Sequence, residues 1–147
     1  MVSAYLESSH PMKIIALDVG DVWTGIAISD ALGIVARPLT TVESLHLNQF
    51  LTDLFAKESI ETVVVGHPIT LRGTKSEQTT KIEATSEQLK KQFPAVTWVL
   101  WDERLTSKQA QALKSPKSKD EKKQSHAIAA AFILSSYLEF KRLQAAD

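Results

Sequence analysis

The amino-acid sequence predicts a single α/β domain built on a five-stranded mixed sheet with helices against it. Three short apolar stretches near the start are separated by turn residues, as in a meander of neighbouring strands. Two later apolar stretches each follow a helical pattern, which favours crossover connections and hence parallel strands. The predicted order is therefore three strands, then helix, strand, helix, strand and two helices.

The first strand is the most strongly predicted element. Residues 14–17 form an uninterrupted apolar run, which is typical of a central strand covered on both faces. Gly20 and Gly25 bracket a turn, and a returning strand follows. Residues 34–42 are rich in β-formers but include Pro38, which suits an edge strand.

The rest of the chain alternates helical and extended patterns. Apolar residues recur from Leu47 to Phe55 at the spacing of one buried helical face. The predicted elements are a helix at 45–59, a strand at 61–65, a helix at 76–93, a strand at 96–100, a helix at 107–113, a loop at 114–123 and a helix at 125–140.

Composition limits the class of protein. The chain has 147 residues, 44% hydrophobic and 23% charged, which is typical of a soluble globular domain. It has no cysteine and no apolar run long enough to cross a membrane, so we predict a cytoplasmic protein with no membrane partner. We expect residues 1–12 to be a disordered extension, 13–142 the domain and 143–147 a tail, with Met12 as an alternative start.

Polar residues follow the first and last predicted strands. Asp18 ends the first strand, Asp102 and Glu103 end the last, and His126 opens the final predicted helix. Ligands of open α/β sheets gather at the carboxyl ends of the strands, so these groups are expected to converge. Carboxylates with one imidazole suit Mg²⁺ or Mn²⁺. The alternatives are turn hydrogen bonds for Asp18, a surface ion-pair cluster for Asp102 and Glu103, and a structural role for His126.

Basic residues gather in one segment of an otherwise neutral chain. Net charge is zero, yet residues 104–123 contain seven Lys or Arg and two acids. This pattern indicates either nucleic-acid contact or a solvated loop. The candidate nucleic-acid-binding residues are Arg72, Arg104, Lys117, Lys119, Lys122 and Lys123, with Trp23 as a surface for base stacking. For Arg104, pairing with Asp102 or Glu103 is slightly favoured over a phosphate contact.

Three motifs resemble one known family. The segments LDVGDVWTGIAISD, VVVGHPITLRGT and WDERLTSKQA are similar to the motifs of the YqgF/RuvX-like proteins, relatives of Holliday-junction resolvases with an RNase H-like fold. The resemblance covers residues 13–140. It implies a cytoplasmic nuclease linked to maturation of the 5′ end of pre-16S rRNA, with an acidic divalent-metal site that falls on Asp18 and Glu103.

The chain departs from the family pattern at three places. The family's basic residue in the first turn falls on Val22 or Trp23, and its Asn in the second motif falls on Thr70. Its acidic residue at the start of the last helix falls on His126, although resolvases of the wider superfamily use histidine near this place. An imidazole there removes one negative charge, so metal affinity is expected to change and the enzyme to be weakened.

The leading hypothesis is metal-dependent hydrolysis of phosphodiester bonds. Asp18, Glu103 and His126 would hold Mg²⁺ or Mn²⁺, and Asp102 would orient them. The expected partners are structured RNA such as pre-16S rRNA, or branched DNA, with ribosomal precursor particles, and the chain is expected to be a monomer or weak homodimer. The alternatives are a Holliday-junction resolvase, a non-catalytic RNA-binding adaptor of ribosome biogenesis, and a nucleotide-binding domain.

Overall fold

A computed structural model describes residues 12–69, 72–106 and 118–146, and within them the predicted five-stranded mixed sheet is confirmed. The strands lie in the order β3-β2-β1-β4-β5. Their bounds are Lys13–Val19 for β1, Trp23–Ser29 for β2, Ala36–Glu43 for β3, Ile60–His67 for β4 and Thr97–Asp102 for β5. Three α-helices are described, Leu47–Lys57 (α1), Glu77–Gln92 (α2) and Lys119–Ala145 (α3).

Strand β1 is the centre of the sheet, as its apolar run predicts. It pairs antiparallel with β2 and parallel with β4, and β3 and β5 complete the sheet antiparallel and parallel respectively. Residues 14–17 are buried. Because β1, β4 and β5 run in the same direction, their carboxyl ends lie at one edge of the sheet, together with the start of β2.

Two apolar cores lie on opposite faces of the sheet. One contains Ile15 and Leu17 of β1 with the buried residues of α1 and α2. The other contains Ile14 and Ala16 with five residues of α3. Side chains alternate between the faces of a strand, so Asp18 lies on the face covered by α3.

Helix α3 differs from its predicted bounds. The sequence predicts a loop at 114–123 and a helix at 125–140, but α3 already begins at Lys119. The Ser118 side chain caps it by accepting from the Glu121 amide, and acids in the first turn favour the start of a helix. His126 therefore lies two turns inside α3, where the end of the helix dipole has little effect.

Parts of the sequence prediction lie outside the described residues. These are the predicted helix at 107–113, Thr70 and Lys117. Within the described residues no helix is long and apolar enough to cross a membrane. The predicted division into extension, domain and tail stays a prediction.

Candidate metal centre and nucleic-acid interface

Helix α3 packs directly against the sheet at Gly25 of β2. A Cβ atom at this position would lie 2.0 Å from both the carbonyl carbon and the carbonyl oxygen of His126. Only glycine leaves room for the helix backbone to contact the strand directly. Since Gly25 pairs with Asp18 across the β1–β2 ladder, this contact brings α3 to the predicted acid.

His126 and Asp18 form the central pair of the site. His126 Nδ1 donates a hydrogen bond to Asp18 Oδ2 at 2.9 Å, and the two side chains are 29% and 14% exposed respectively. The bond leaves His126 Nε2 for another partner. Within the described parts of the chain, Asp18 Oδ1 receives no hydrogen bond. A carboxylate oxygen and a ring nitrogen thus stay available at the sheet edge.

Glu103 reaches the same face from β5. It lies in a short 3-10 turn directly after the strand, and its Oε1 is 2.7 Å from the position that a Cβ on Gly66 would occupy. Gly66 lies on β4, next to β1, and alternation along β4 puts this position on the α3 face with Asp18. The absence of a side chain at Gly66 therefore makes room for the Glu103 carboxylate on the face of the sheet that carries Asp18.

Asp102 and Arg104 pair with each other. The Arg104 guanidinium donates to both carboxylate oxygens of Asp102, with Nη2 to Oδ2 at 2.6 Å and Nε to Oδ1 at 3.0 Å. This contact holds the pKa of Asp102 below its usual value and raises the pKa of Arg104. Asp102 follows Trp101, which belongs to the α3-side core, so Asp102 lies on the opposite face from Asp18. The described structure thus shows the ion pair that the sequence slightly favours for Arg104.

The side chains at this edge of the sheet offer the types of donor atom that a hard divalent cation binds. No three Asp, Glu or His side chains of the described residues are already grouped as a metal-binding cluster. Mg²⁺, however, is commonly held by one or two protein carboxylates, with waters and substrate phosphates as its other ligands. Asp18 and Glu103 supply two carboxylates on one face, and His126 adds its second ring nitrogen, Nε2, since Nδ1 is engaged by Asp18.

The predicted nucleic-acid contacts fall on both sides of this pair. Lys123 lies with its Nζ 5.0 Å from the centre of the Trp23 ring, in a cation–π contact. Lys119 and Lys122 are exposed on the first turn of α3, and Arg72 is exposed before α2. Their role in binding nucleic acid stays a prediction.

Two features of the site were not predicted from the sequence. The sequence places Gly25 at the end of a turn and the start of the returning strand but does not predict its contact with a helix, although a glycine inside a strand pattern signals close backbone approach. The second feature is Glu83 of α2, which contacts His67 Nε2 at 3.1 Å and Lys75 Nζ at 3.0 Å. Hydrogen bonding from Lys75 is the main cause that lowers the pKa of Glu83. These contacts link the end of β4 to α2. They join residues far apart in the sequence, so no local sequence pattern predicts them.

Comparison with solved structures identifies the class of fold. A structure of Thermus thermophilus RuvC in complex with a Holliday junction substrate superposes with a TM-score of 0.57 at 16% identity, covering 89% of this chain and 96% of that one. A second Thermus thermophilus RuvC structure gives a TM-score of 0.50 at 15% identity over the same shares of the two chains. The chain therefore has the RuvC-like, RNase H-type α/β fold, which confirms the predicted fold class.

Sequence comparison then identifies the family. The RuvX family, described as Holliday junction resolvase, matches residues 12–140. A protein of Rubrobacter xylanophilus named "Putative pre-16S rRNA nuclease" is 38% identical over 86% of this chain and 92% of its own length. Relatives of the same name from Bacteroides fragilis and Shouchella clausii are also 38% identical, over 89% and 87% of this chain and 99% and 95% of their own lengths. This chain belongs to the RuvX family, as its three motifs indicate.

Proposed function

We propose that this protein is a metal-dependent endonuclease that hydrolyses phosphodiester bonds at the Asp18–His126 end of the sheet. The observation that carries the proposal is the Asp18 Oδ2–His126 Nδ1 contact at 2.9 Å, with the Glu103 carboxylate on the same face. Family membership supports it, because the matched relatives are named as nucleases or resolvases.

The favoured substrate is the 5′ end of pre-16S rRNA. The three relatives named above carry pre-16S rRNA in their names, and each is matched over nearly its full length; the 5′ end is the part of that RNA which the family resemblance implies. We accordingly place the protein in the cytoplasm, acting on ribosomal precursor particles. Branched DNA is the second substrate to test, because the family description names the Holliday junction.

Asp18 and Glu103 would hold the cation, which we take to be Mg²⁺ or Mn²⁺. A divalent cation at this place supplies an activated water and neutralises charge on the oxygens of the reacting phosphate. The hydrogen bond from His126 orients the Asp18 carboxylate and engages Oδ2, so Oδ1 is the oxygen left for the cation. The second ring nitrogen of His126, Nε2, is then able to bind the cation or to accept a proton from water.

Arg104 and Asp102 act as support in this proposal. Because Asp102 occupies the Nε and Nη2 groups of Arg104, the guanidinium is held in one orientation at the start of the turn that carries Glu103. Arg104 Nη1 lies 3.8 Å from the position of a Cβ on Gly73. Asp102 thereby orients Glu103 through the backbone of the turn, without itself facing Asp18.

The test is a cleavage assay with two substrates. The purified protein is incubated with a structured pre-16S rRNA fragment and with a DNA four-way junction, each with Mg²⁺, with Mn²⁺ and with EDTA. We expect metal-dependent cleavage of the RNA, a loss of at least about 100-fold in Asp18→Asn, and no cleavage in EDTA.

Asp21→Asn is the matched control. Asp21 lies three residues from Asp18, and its side chain is 73% exposed, with a long contact to Lys81 at 3.8 Å. Loss of activity in Asp18→Asn but not in Asp21→Asn supports the proposed site. Cleavage of the junction alone would replace the RNA substrate with branched DNA. If clean protein binds RNA but cleaves neither substrate with either metal, the nuclease proposal is wrong and a non-catalytic adaptor takes its place.

A further inference from the structure

The three tryptophans of the chain occupy two different kinds of environment. Trp98 and Trp101 pack against the two apolar cores, and their indole nitrogens donate to Phe93 O at 3.0 Å and to Ser136 Oγ at 3.2 Å. Trp23 belongs to neither core. Within 12–69, 72–106 and 118–146 its indole nitrogen has no hydrogen-bond acceptor. Packing against the cores therefore accounts for the presence of Trp98 and Trp101 but not of Trp23.

Trp23 lies beside the proposed metal centre. It is two residues from Gly25 along β2, on the α3 face, and Gly25 is the partner of Asp18. From strand dimensions, the Cα atoms of Trp23 and Asp18 are roughly 8 Å apart. That distance is about two nucleotide rises along one strand of a nucleic acid.

A cation is held over the Trp23 ring. Lys123 Nζ lies 5.0 Å from the ring centre, and the backbone carbonyl of Lys123 accepts a hydrogen bond from Thr41 Oγ1 at 2.6 Å. The bond to Thr41 ties this turn of α3 to β3. An open groove of about 580 Å³ continues from Lys123 between α3 and β3, lined in part by Pro38 and Gln124. A half-buried ring, a cation and a groove thus lie next to one another near the metal centre.

We propose that Trp23 and Lys123 form a clamp for one unpaired nucleotide of RNA next to the cleaved bond. The base stacks on the Trp23 ring, and the Lys123 ammonium contacts the adjoining phosphate. A base inside a duplex has both faces covered by its neighbours, so the clamp selects a single-stranded segment at the cleavage site. This inference rests on the proposed function, because it specifies the substrate of the same site.

The test is a binding experiment in EDTA, where no cleavage occurs. Fluorescence anisotropy measures the affinity for a single-stranded RNA, for an abasic oligonucleotide of the same length and for a duplex of the same sequence. We expect Trp23→Ala to weaken binding of the intact single strand about tenfold and to leave the abasic strand unchanged. Trp23→Phe is expected to keep most of the affinity, because an aromatic ring remains.

Lys123→Gln has a different expected signature. The variant is expected to bind the intact and the abasic strand with equally reduced affinity. The magnitude of the slope of log K against log salt should fall by about 0.7, the value for one phosphate contact on a single strand. Lys141→Gln, an exposed lysine near the other end of α3, is the matched control and should change neither. Circular dichroism of each variant verifies that the fold is retained.

The outcomes separate this inference from the nuclease proposal. If Trp23→Ala binds the intact strand as wild type does, or loses the same affinity for the abasic strand, the clamp is wrong even where Asp18-dependent cleavage is present. A loss confined to the duplex also overturns it. Preference for single-stranded DNA over RNA would overturn the RNA assignment. If Trp23→Ala weakens binding of the intact strand but not of the abasic strand, and the wild type cleaves no substrate, the clamp is supported and the nuclease proposal is wrong.

Discussion

The side chain at position 126 determines how much negative charge surrounds Asp18. An imidazole is neutral or positive, so the described donors carry two formal charges, from Asp18 and Glu103, instead of the three that the family resemblance implies. The hydrogen bond from Nδ1 also occupies one oxygen of Asp18. Both effects lower the affinity for a hard divalent cation, which prefers anionic oxygen ligands.

His126→Asp is therefore expected to strengthen Mg²⁺ binding by about tenfold, because it adds a carboxylate and frees Asp18 Oδ2. Without metal the same change brings two carboxylates together, so the variant in EDTA should unfold at a lower temperature than wild type. Isothermal titration calorimetry with Mg²⁺ and thermal unfolding with and without the metal check the two parts. His46→Asp is the control, since His46 has a side chain that is 71% exposed and lies outside the site. Equal Mg²⁺ affinity in wild type and His126→Asp would place position 126 outside the metal centre.

At the scale of elements, the site exists because α3 lies directly on the sheet. A helix normally packs on a strand through side chains of both, whereas here the His126 backbone contacts Gly25. The close approach is fixed at one further point, where Thr41 Oγ1 donates to the carbonyl of Lys123. Below these contacts, Ala127 and Ala130 are small and keep α3 near β2. The distance between Asp18 and His126 is thus set by helix packing.

Gly25→Ala tests this arrangement. The added methyl would overlap the His126 backbone at 2.0 Å, and since backbone cannot rotate away, α3 must move outward. We expect a loss of about 3 kcal/mol in the free energy of unfolding, measured by urea denaturation. Gly33→Asn is the control, because Gly33 has a positive φ of 68° that Asn tolerates and no atom within 4 Å of its Cβ position. A loss below about 1 kcal/mol in Gly25→Ala would show that α3 is not held against the strand.

The sequence predicts elements better than it predicts their contacts. The apolar run at 14–17 and the periodic pattern at 47–55 are local signals, and both elements form as predicted. The start of α3 was misplaced because lysine-rich polar residues suit an exposed helix as well as a loop, and the Ser118 cap decides between them. The Asp18–His126 contact joins residues 108 positions apart, so its geometry follows from packing on Gly25 and is visible only in the fold.

At the scale of the whole molecule, the numbers of acidic and basic residues are equal, and some of the acids are stabilised in their charged form by hydrogen bonds in the folded chain. The chain has 17 acids and 17 Lys or Arg. The folded chain lowers the pKa of several carboxyls below the usual value: that of Asp102 because Arg104 donates to it, that of Glu83 mainly because Lys75 donates to it, and that of Asp30 because the Val35 and Ile34 amides donate to it. Each is stabilised in its charged form by the folded state. Protonating them removes these contacts and leaves the basic residues to repel one another.

The sign of the resulting pH dependence follows from the direction of the shifts. A carboxyl whose pKa is lower in the folded protein contributes stability above its unfolded value, 3.8 for Asp and 4.5 for Glu, and loses it as the pH falls through the folded value. We expect the free energy of unfolding to decrease as the pH drops below about 4. Asp102→Asn should be less stable than wild type near neutral pH, and the difference should shrink towards zero in acid. Urea unfolding across this pH range measures it, with Asp53→Asn, an exposed acid bonded to the neutral Gln49 amide, as the control. A difference between Asp102→Asn and wild type that stays constant with pH would mean that the Arg104 pair does not stabilise the folded chain.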